Sequence, residues 1–192
     1  MSKFSKKIVL ASSSPRRKEL LDEYGYEFEI VAPDESAEDK MLPGELPSEY
    51  VARLSFQKAL NVAKRFEEGL FLGCDTVAEL EGKVLGKPVD QEHARSMLQS
   101  LSGKTHRVMS GVTLVDQATG VKRTSIDTTI LEMATLTDEM LDEYLATQLW
   151  EGKAGSFGLQ DGIDWVTVVE GSESNVVGLP MELVAEMLDA FA

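Results

Sequence analysis

The chain holds one cysteine, Cys74, and two histidines, His93 and His106, in 192 residues. A single thiol excludes an internal disulfide framework and any cysteine-rich zinc site. The two imidazoles are far apart and lack metal-ligand spacing; His93 reads as a solvated helix residue. Positive charge is scarce: 19 Lys and Arg stand against 33 Asp and Glu, for a formal charge of −14. Nucleic-acid binding needs a basic face to neutralise phosphates, so this balance argues against it. It leaves room for a small phosphate ligand, which a few convergent cations and a divalent metal can hold. No apolar run approaches the roughly 20 residues of a membrane span. The opening MSKFSKKIVLA lacks the long apolar segment and A-x-A site of a signal peptide. The expected setting is the cytoplasm, with no membrane partner. There is no low-complexity tract, internal repeat or G-x-S-x-G nucleophile motif. The stretch SLSGKT (100–105) fails as a phosphate loop, because Leu98 stands where that motif needs its first glycine.

What is present is ordinary for a soluble globular protein: 43% apolar and 27% charged residues. The length suits one domain over residues 1–192. KIVLAS (7–12) reads as a buried strand, and SPRRKELLDEYG as a helix with Ser14 as N-cap, Pro15 in its first turn and Gly25 as its stop. EFEIVAP alternates like a strand. Residues 34–47 read as a polar loop, 48–66 as a helix, and LFLGCDTVAEL as a continuous apolar strand followed by a turn and a returning strand. DQEHARSMLQSLSG predicts a helix capped by Asp90, stapled by Val89 and Ala94, and ended by Gly103. Two strands around QATG follow, then a helix capped by Thr137, a glycine-rich loop (150–162), a strand WVTVVEG, a turn SESNVVGLP and a closing helix. Early alternation of strands and helices, then hairpins, predicts an α/β fold with a mixed sheet.

Three features break local rules. Arg16 and Arg17 sit in the first turn of a helix, where the macrodipole disfavours cations by roughly 0.3–1 kcal/mol each. Either they are solvated and paired with Asp22 or Glu23, or they meet an anion that the helix N-terminus and Ser12 to Ser14 also bind. Lys58 falls on the apolar stripe of Val51, Leu54 and Val62. It either snorkels to solvent or meets an anion in a cleft. Asp75 interrupts an apolar strand, where a carboxylate is costly unless paired or metal-bound. This favours a role in a cleft, binding a metal or accepting a proton from water. Cys74 beside it reads as a small buried residue.

Six ordered segments, LASSSPRRKELL, RLSFQKA, LGCDTVAELEGKVLGKP, MLQSLSGKTHRVMSGV, GKAGSFGLQ and EGSESNVVGLP, resemble the Maf family of nucleoside triphosphate pyrophosphatases over nearly the whole chain. The resemblance implies an elongated mixed β-sheet with flanking helices and two lobes around a central cleft. It implies hydrolysis of a nucleotide to its monophosphate and pyrophosphate with Mg²⁺ or Mn²⁺. Asp75 matches the family's catalytic aspartate and is also an expected metal ligand with Glu35, which matches the acidic residue after the second strand. Ser14, Arg16, Arg17, Lys58, Lys87 and Lys153 match the triphosphate-binding positions. Arg16, Thr76 and Gln160 match the dTTP/UTP-type subfamily, with Phe157 as a wall for the base; CTP is a further substrate to test. Two departures stand out: the family's D-K-A-G is Gly152-Lys153-Ala154-Gly155 here, and SESN replaces a G-S-Y run. The alternatives are a 7-methyl-GTP or noncanonical-purine pyrophosphatase and a non-catalytic nucleotide-binding regulator of cell division. The expected partner is a small-molecule nucleotide; a homodimer is an open option.

Overall fold

A computed structural model describes residues 7–191. Most of the N-terminal segment read for a signal peptide (residues 1–6) lies outside them. The chain runs β1 (Ile8–Ala11), α1 (Pro15–Glu23), β2 (Phe28–Ile30), a 3-10 turn (Glu35–Ala37), α2 (Pro47–Ala63), β3 (Leu70–Leu80) and β4 (Lys83–Leu85). It continues through α3 (Gln91–Leu101), β5 (Thr105–Asp116), β6 (Lys122–Met133), α4 (Asp138–Ala146), two 3-10 turns (Ala154–Ser156 and Leu159–Asp161), β7 (Val166–Glu170), α5 (Glu173–Val177) and α6 (Met181–Asp189). The strands form one sheet in the order β2-β1-β3-β5-β6-β7, with β4 paired to β3. β1 is parallel to β2 and β3, and every other pairing is antiparallel, so the sheet is mixed, with helices flanking it.

The two-residue alternation of a strand sorts side chains between the faces. Leu70, Leu72 and Cys74 of β3 join Ile8, Leu10, Leu21, Val184 and Leu188 beneath α1 and α6. Phe71 packs on the opposite face with Val9, Ala59 and Val62, beneath α2. Farther along β3, Ala78 and Leu80 join a cluster with Leu98, Leu145, Trp150 and Phe157 from α3, α4 and the loop after α4. Asp75 has odd parity, so it faces α2; Thr76 faces the other way.

Two glycines let α2 lie close to the sheet. A Cβ at Gly73 would stand 2.2 Å from the Ser55 carbonyl oxygen, and one at Gly111 2.2 Å from that of Val51. Gly111 is the register partner of Asp75. α2 therefore lies close to the sheet around the aspartate, and it carries Lys58 there.

Most expected elements form near their expected bounds. Asp90 accepts from the His93 amide at 2.7 Å and Thr137 from that of Met140 at 3.3 Å, as helix caps do. Ser14 precedes α1, but its hydroxyl makes no capping hydrogen bond. Val89 is 83% exposed, so it makes no staple with Ala94. The segment expected as a plain turn, SESNVVGLP, contains α5, because Asn175 is fully buried and its Nδ2 donates to the Val108 carbonyl and Thr129 Oγ1. The parity of a five-residue helix is too short to read from pattern.

Candidate active site

A cavity of about 380 Å³ opens between the α1 end and the α3–α4 end of the molecule. Ser12 to Arg17, Glu38, Lys58, Asp75, Thr76, Lys87, Lys153, Phe157 and Gln160 all line it. The structure thus brings together every candidate residue except Glu35. That residue is exposed in the 3-10 turn and does not line the cavity; Glu38, just past the turn, does. The polar loop gave no periodicity to fix its register, and the turn advances the chain so that the later carboxylate faces Lys58.

At the floor, Lys58 Nζ donates to Asp75 Oδ1 at 2.6 Å and lies 3.2 Å from Glu38 Oε1. Lys58 is 6% exposed and Asp75 8%, so the lysine meets anions in a cleft and does not snorkel. Lys58 beside it pulls the Glu38 carboxyl below the ordinary carboxylate range. The loop bearing Glu38 is clamped onto α2 by Arg53, which donates from Nε and Nη2 to the Glu45 carboxylate at 2.6 and 2.7 Å and from Nη2 to the Lys40 carbonyl at 3.1 Å.

The arginines of α1 pair with neither Asp22 nor Glu23; Lys18 takes Asp22. Arg17 Nε donates to the Gly178 carbonyl at 2.7 Å, and its two terminal nitrogens donate to Ser12 Oγ and Thr76 Oγ1 at 3.2 Å each. Arg16 Nη2 donates to the Gly152 carbonyl at 3.1 Å, while its buried Nε has no hydrogen-bond partner among the described residues. Burial, reinforced by Arg17, lowers the Arg16 pKa from its ordinary value. Two adjacent guanidinium groups at the α1 N-terminus form a cationic corner, the kind of arrangement that suits an anion. Thr76 lies beneath that corner, hydrogen-bonded to Arg17 and Ser110.

The loop after α4 makes the opposite wall. Lys153 forms an ion pair with Asp161, and the Tyr144 hydroxyl donates to the same carboxylate at 2.7 Å. Phe157 packs edge-on against His106 and lies 6.5 Å from Trp165, which stacks edge-on with Tyr144. Lys87 is exposed, one residue past Gly86, whose carbonyl accepts from the Gly155 amide. Burial pushes the Cys74 thiol pKa up, which keeps it protonated and unsuited to nucleophilic attack. Sequence reasoning missed Glu38, Asp161 and the Gly178 carbonyl. Only Asp161 left a trace, as the residue after Gln160 in a loop that lacks its acid at Gly152.

The molecule is a mixed α/β fold with a cationic cleft that faces the buried Asp75 carboxylate, a layout that suits a phosphorylated ligand. The sequence family described as Maf-like protein matches residues 7–191. The chain belongs to the Maf family. It is 47% identical over 185 residues to a dTTP/UTP pyrophosphatase of Rhodopirellula baltica, covering 96% of this chain and 82% of that protein. It is 40% identical to one from Ruminiclostridium cellulolyticum (95% and 94% covered) and 36% identical to one from Pyrococcus furiosus (96% and 95%). A solved HAM1 protein from Coxiella burnetii shares the fold, with a TM-score of 0.55 at 16% identity, over 96% of this chain and 99% of that one. No helix among the described residues is long and apolar enough to cross a membrane.

Proposed function

We propose that the protein is a nucleoside triphosphate pyrophosphatase acting on pyrimidine nucleotides, with dTTP and UTP as substrates and CTP as a further one to test. The observation that carries this reading is the opposition of Arg16 and Arg17 to the Lys58–Asp75 pair across one cavity. Relatives covering nearly the whole chain bear the dTTP/UTP name, which supports the choice of base.

The triphosphate lies along the α1 N-terminus, and a phosphate oxygen takes the otherwise orphaned Arg16 Nε as a donor. Lys87 at the mouth and the Lys153 ammonium add donors aimed where charge grows in the transition state. Asp75 Oδ1 is held by Lys58, which fixes the carboxylate's orientation. Asp75 accepts a proton from the water that attacks the α-phosphorus. The new bond joins that water oxygen to the α-phosphorus, the bond from α-phosphorus to the bridging oxygen breaks, and pyrophosphate leaves. Gln160 presents an amide that can both donate to and accept from a uracil or thymine edge, with Phe157 as an apolar wall.

Among the described residues no group of three or more His, Cys, Asp or Glu could hold a metal ion. Two carboxylates, Asp75 and Glu38, converge on Lys58. Lys58 takes Asp75 Oδ1 and Glu38 Oε1, so these two residues would hold Mg²⁺ or Mn²⁺ through their other carboxylate oxygens, hard donors of the kind magnesium takes at phosphoryl-transfer sites. Mg²⁺ or Mn²⁺, when bound there, neutralises phosphate charge and lowers the pKa of water.

A nucleotide panel with Mg²⁺ or Mn²⁺ tests the reading: dTTP, UTP, CTP, 7-methyl-GTP and inosine triphosphate. Pyrophosphate release fastest with dTTP and UTP is expected. Preference for 7-methyl-GTP or inosine triphosphate would overturn the base assignment, and tight UTP binding without turnover would make the protein a sensor.

A further inference from the structure

Gly152 stands directly before Lys153, so the chain places no acid next to this lysine. The structure supplies a carboxylate to the same lysine from the far end of the loop. Asp161 is eight residues on, and its side chain is 2% exposed, against 10% for Lys153. Its two oxygens are divided: Oδ1 pairs with Lys153 and Oδ2 accepts from Tyr144 at 2.7 Å. A carboxylate is rarely buried this deeply unless its partners are fixed, so both ends of the loop are tied to α4 through one group. Lys153 and Gln160, which both line the cavity, lie within that tie.

We propose that Asp161 is a positioning residue for the nucleotide. It takes one of the three Lys153 ammonium donors and leaves the others aimed at phosphate, and it fixes the backbone that presents Gln160 to the base. This inference rests on the pyrophosphatase reading for its substrate. Asp161 reaches the reacting atoms only through its neighbours, so its loss acts mainly on binding.

Asp161→Asn keeps the shape and removes the charge. KM for UTP is expected to rise at least tenfold, kcat to change less than threefold, and the preference for UTP over purine nucleotides to narrow. Gly152→Asp introduced alongside it places a carboxylate directly before Lys153; a Cβ there meets nothing within 4 Å, and aspartate tolerates the left-handed φ of +68° better than most residues. A recovery of at least threefold in KM is expected, which a purely structural loss would not show. A folded Asp161→Asn protein with wild-type KM and wild-type base preference overturns the proposal, as does a fall in kcat alone. If Asp161→Asn does not fold, Tyr144→Phe removes one hydrogen bond from the same carboxylate. It is expected to raise KM about threefold, and an unchanged KM overturns the proposal. Calorimetric binding of a non-hydrolysable UTP analogue to each variant reads the same effect without turnover. If the wild type binds the analogue but releases no pyrophosphate from UTP, the activity reading fails; if analogue affinity is unaltered by the variants, the Asp161 role fails.

Discussion

The closeness of α2 to the sheet makes Gly73→Ala a severe perturbation for a single methyl group. Its Cβ would stand 2.2 Å from the Ser55 carbonyl oxygen, 2.7 Å from the Ala59 nitrogen and 2.9 Å from the Ala59 Cβ. Favourable contact begins near ~3.5 Å, so the helix has to lift by about 1 Å. Overpacking a core costs about 1–3 kcal/mol. Here the obstacle is helix backbone, which cannot rotate away, so about 3 kcal/mol of stability is expected to be lost. The same lift stretches the 2.6 Å Lys58–Asp75 contact and the 2.9 Å Ser55–Thr113 hydrogen bond. A misplacement of about 1 Å in a catalytic constellation can reduce rate on the order of 100-fold. Urea unfolding should show a lower midpoint with an unchanged slope, and kcat/KM for UTP should fall 10- to 100-fold. Gly86→Ala is the control: a Cβ there meets nothing within 4 Å, and its stability should stay within about 0.5 kcal/mol of wild type. A Gly73→Ala protein as stable and active as that control would refute the packing argument and, with it, the account of how Lys58 reaches Asp75.

Lys58→Met leaves the Asp75 carboxylate without its closest cation, and breaking a buried pair on one side costs about 3–5 kcal/mol; chemical denaturation should show a loss in that range. The same variant changes the acid limb of stability. Lys58 holds the Glu38 pKa low, so Glu38 stabilises the fold above its unfolded pKa, and that contribution is lost as pH falls through the lowered folded value. In Lys58→Met this part of the acid loss should disappear from a pH series of unfolding curves. His106 supplies a second pH effect. It is 2% exposed, and burial pulls its pKa down to about 4. The unfolded chain therefore binds more protons between about pH 6.5 and 4, and stability falls by about 3 kcal/mol as pH drops through that window. His106→Leu should flatten that slope, and an unchanged slope would show that burial does not lower the His106 pKa.

The elements that pattern can define were legible in the sequence. The continuous apolar run of β3, the caps Asp90 and Thr137, and the stop at Gly25 each carry a local signal, and each forms. The candidate site was legible wherever a residue broke a local rule: Asp75 inside an apolar strand, Lys58 on an apolar stripe and two arginines on a helix start. All four line the cavity. Residues that obey local rules were not legible. Glu38 is one acid among several in a polar loop, and only the 3-10 turn before it and the Arg53 clamp decide which acid meets Lys58. Asp161 looks like an ordinary turn aspartate beside Gly162, and its burial comes from α4, a neighbour in space. The Gly178 carbonyl has no side chain to read, yet it accepts from Arg17 and sets the guanidinium's direction.

The most direct test of the account is product analysis from UTP by wild type and by Asp75→Asn in the presence of Mg²⁺. General-base removal typically lowers a rate by about 10²–10⁴-fold. The wild type should yield UMP and pyrophosphate in equal amounts, and Asp75→Asn, still folded, should release pyrophosphate at least 100-fold more slowly. Inorganic phosphate and UDP as the products, or full pyrophosphate release by the variant, would contradict the claim that the cationic cleft and Asp75 together split the α–β linkage.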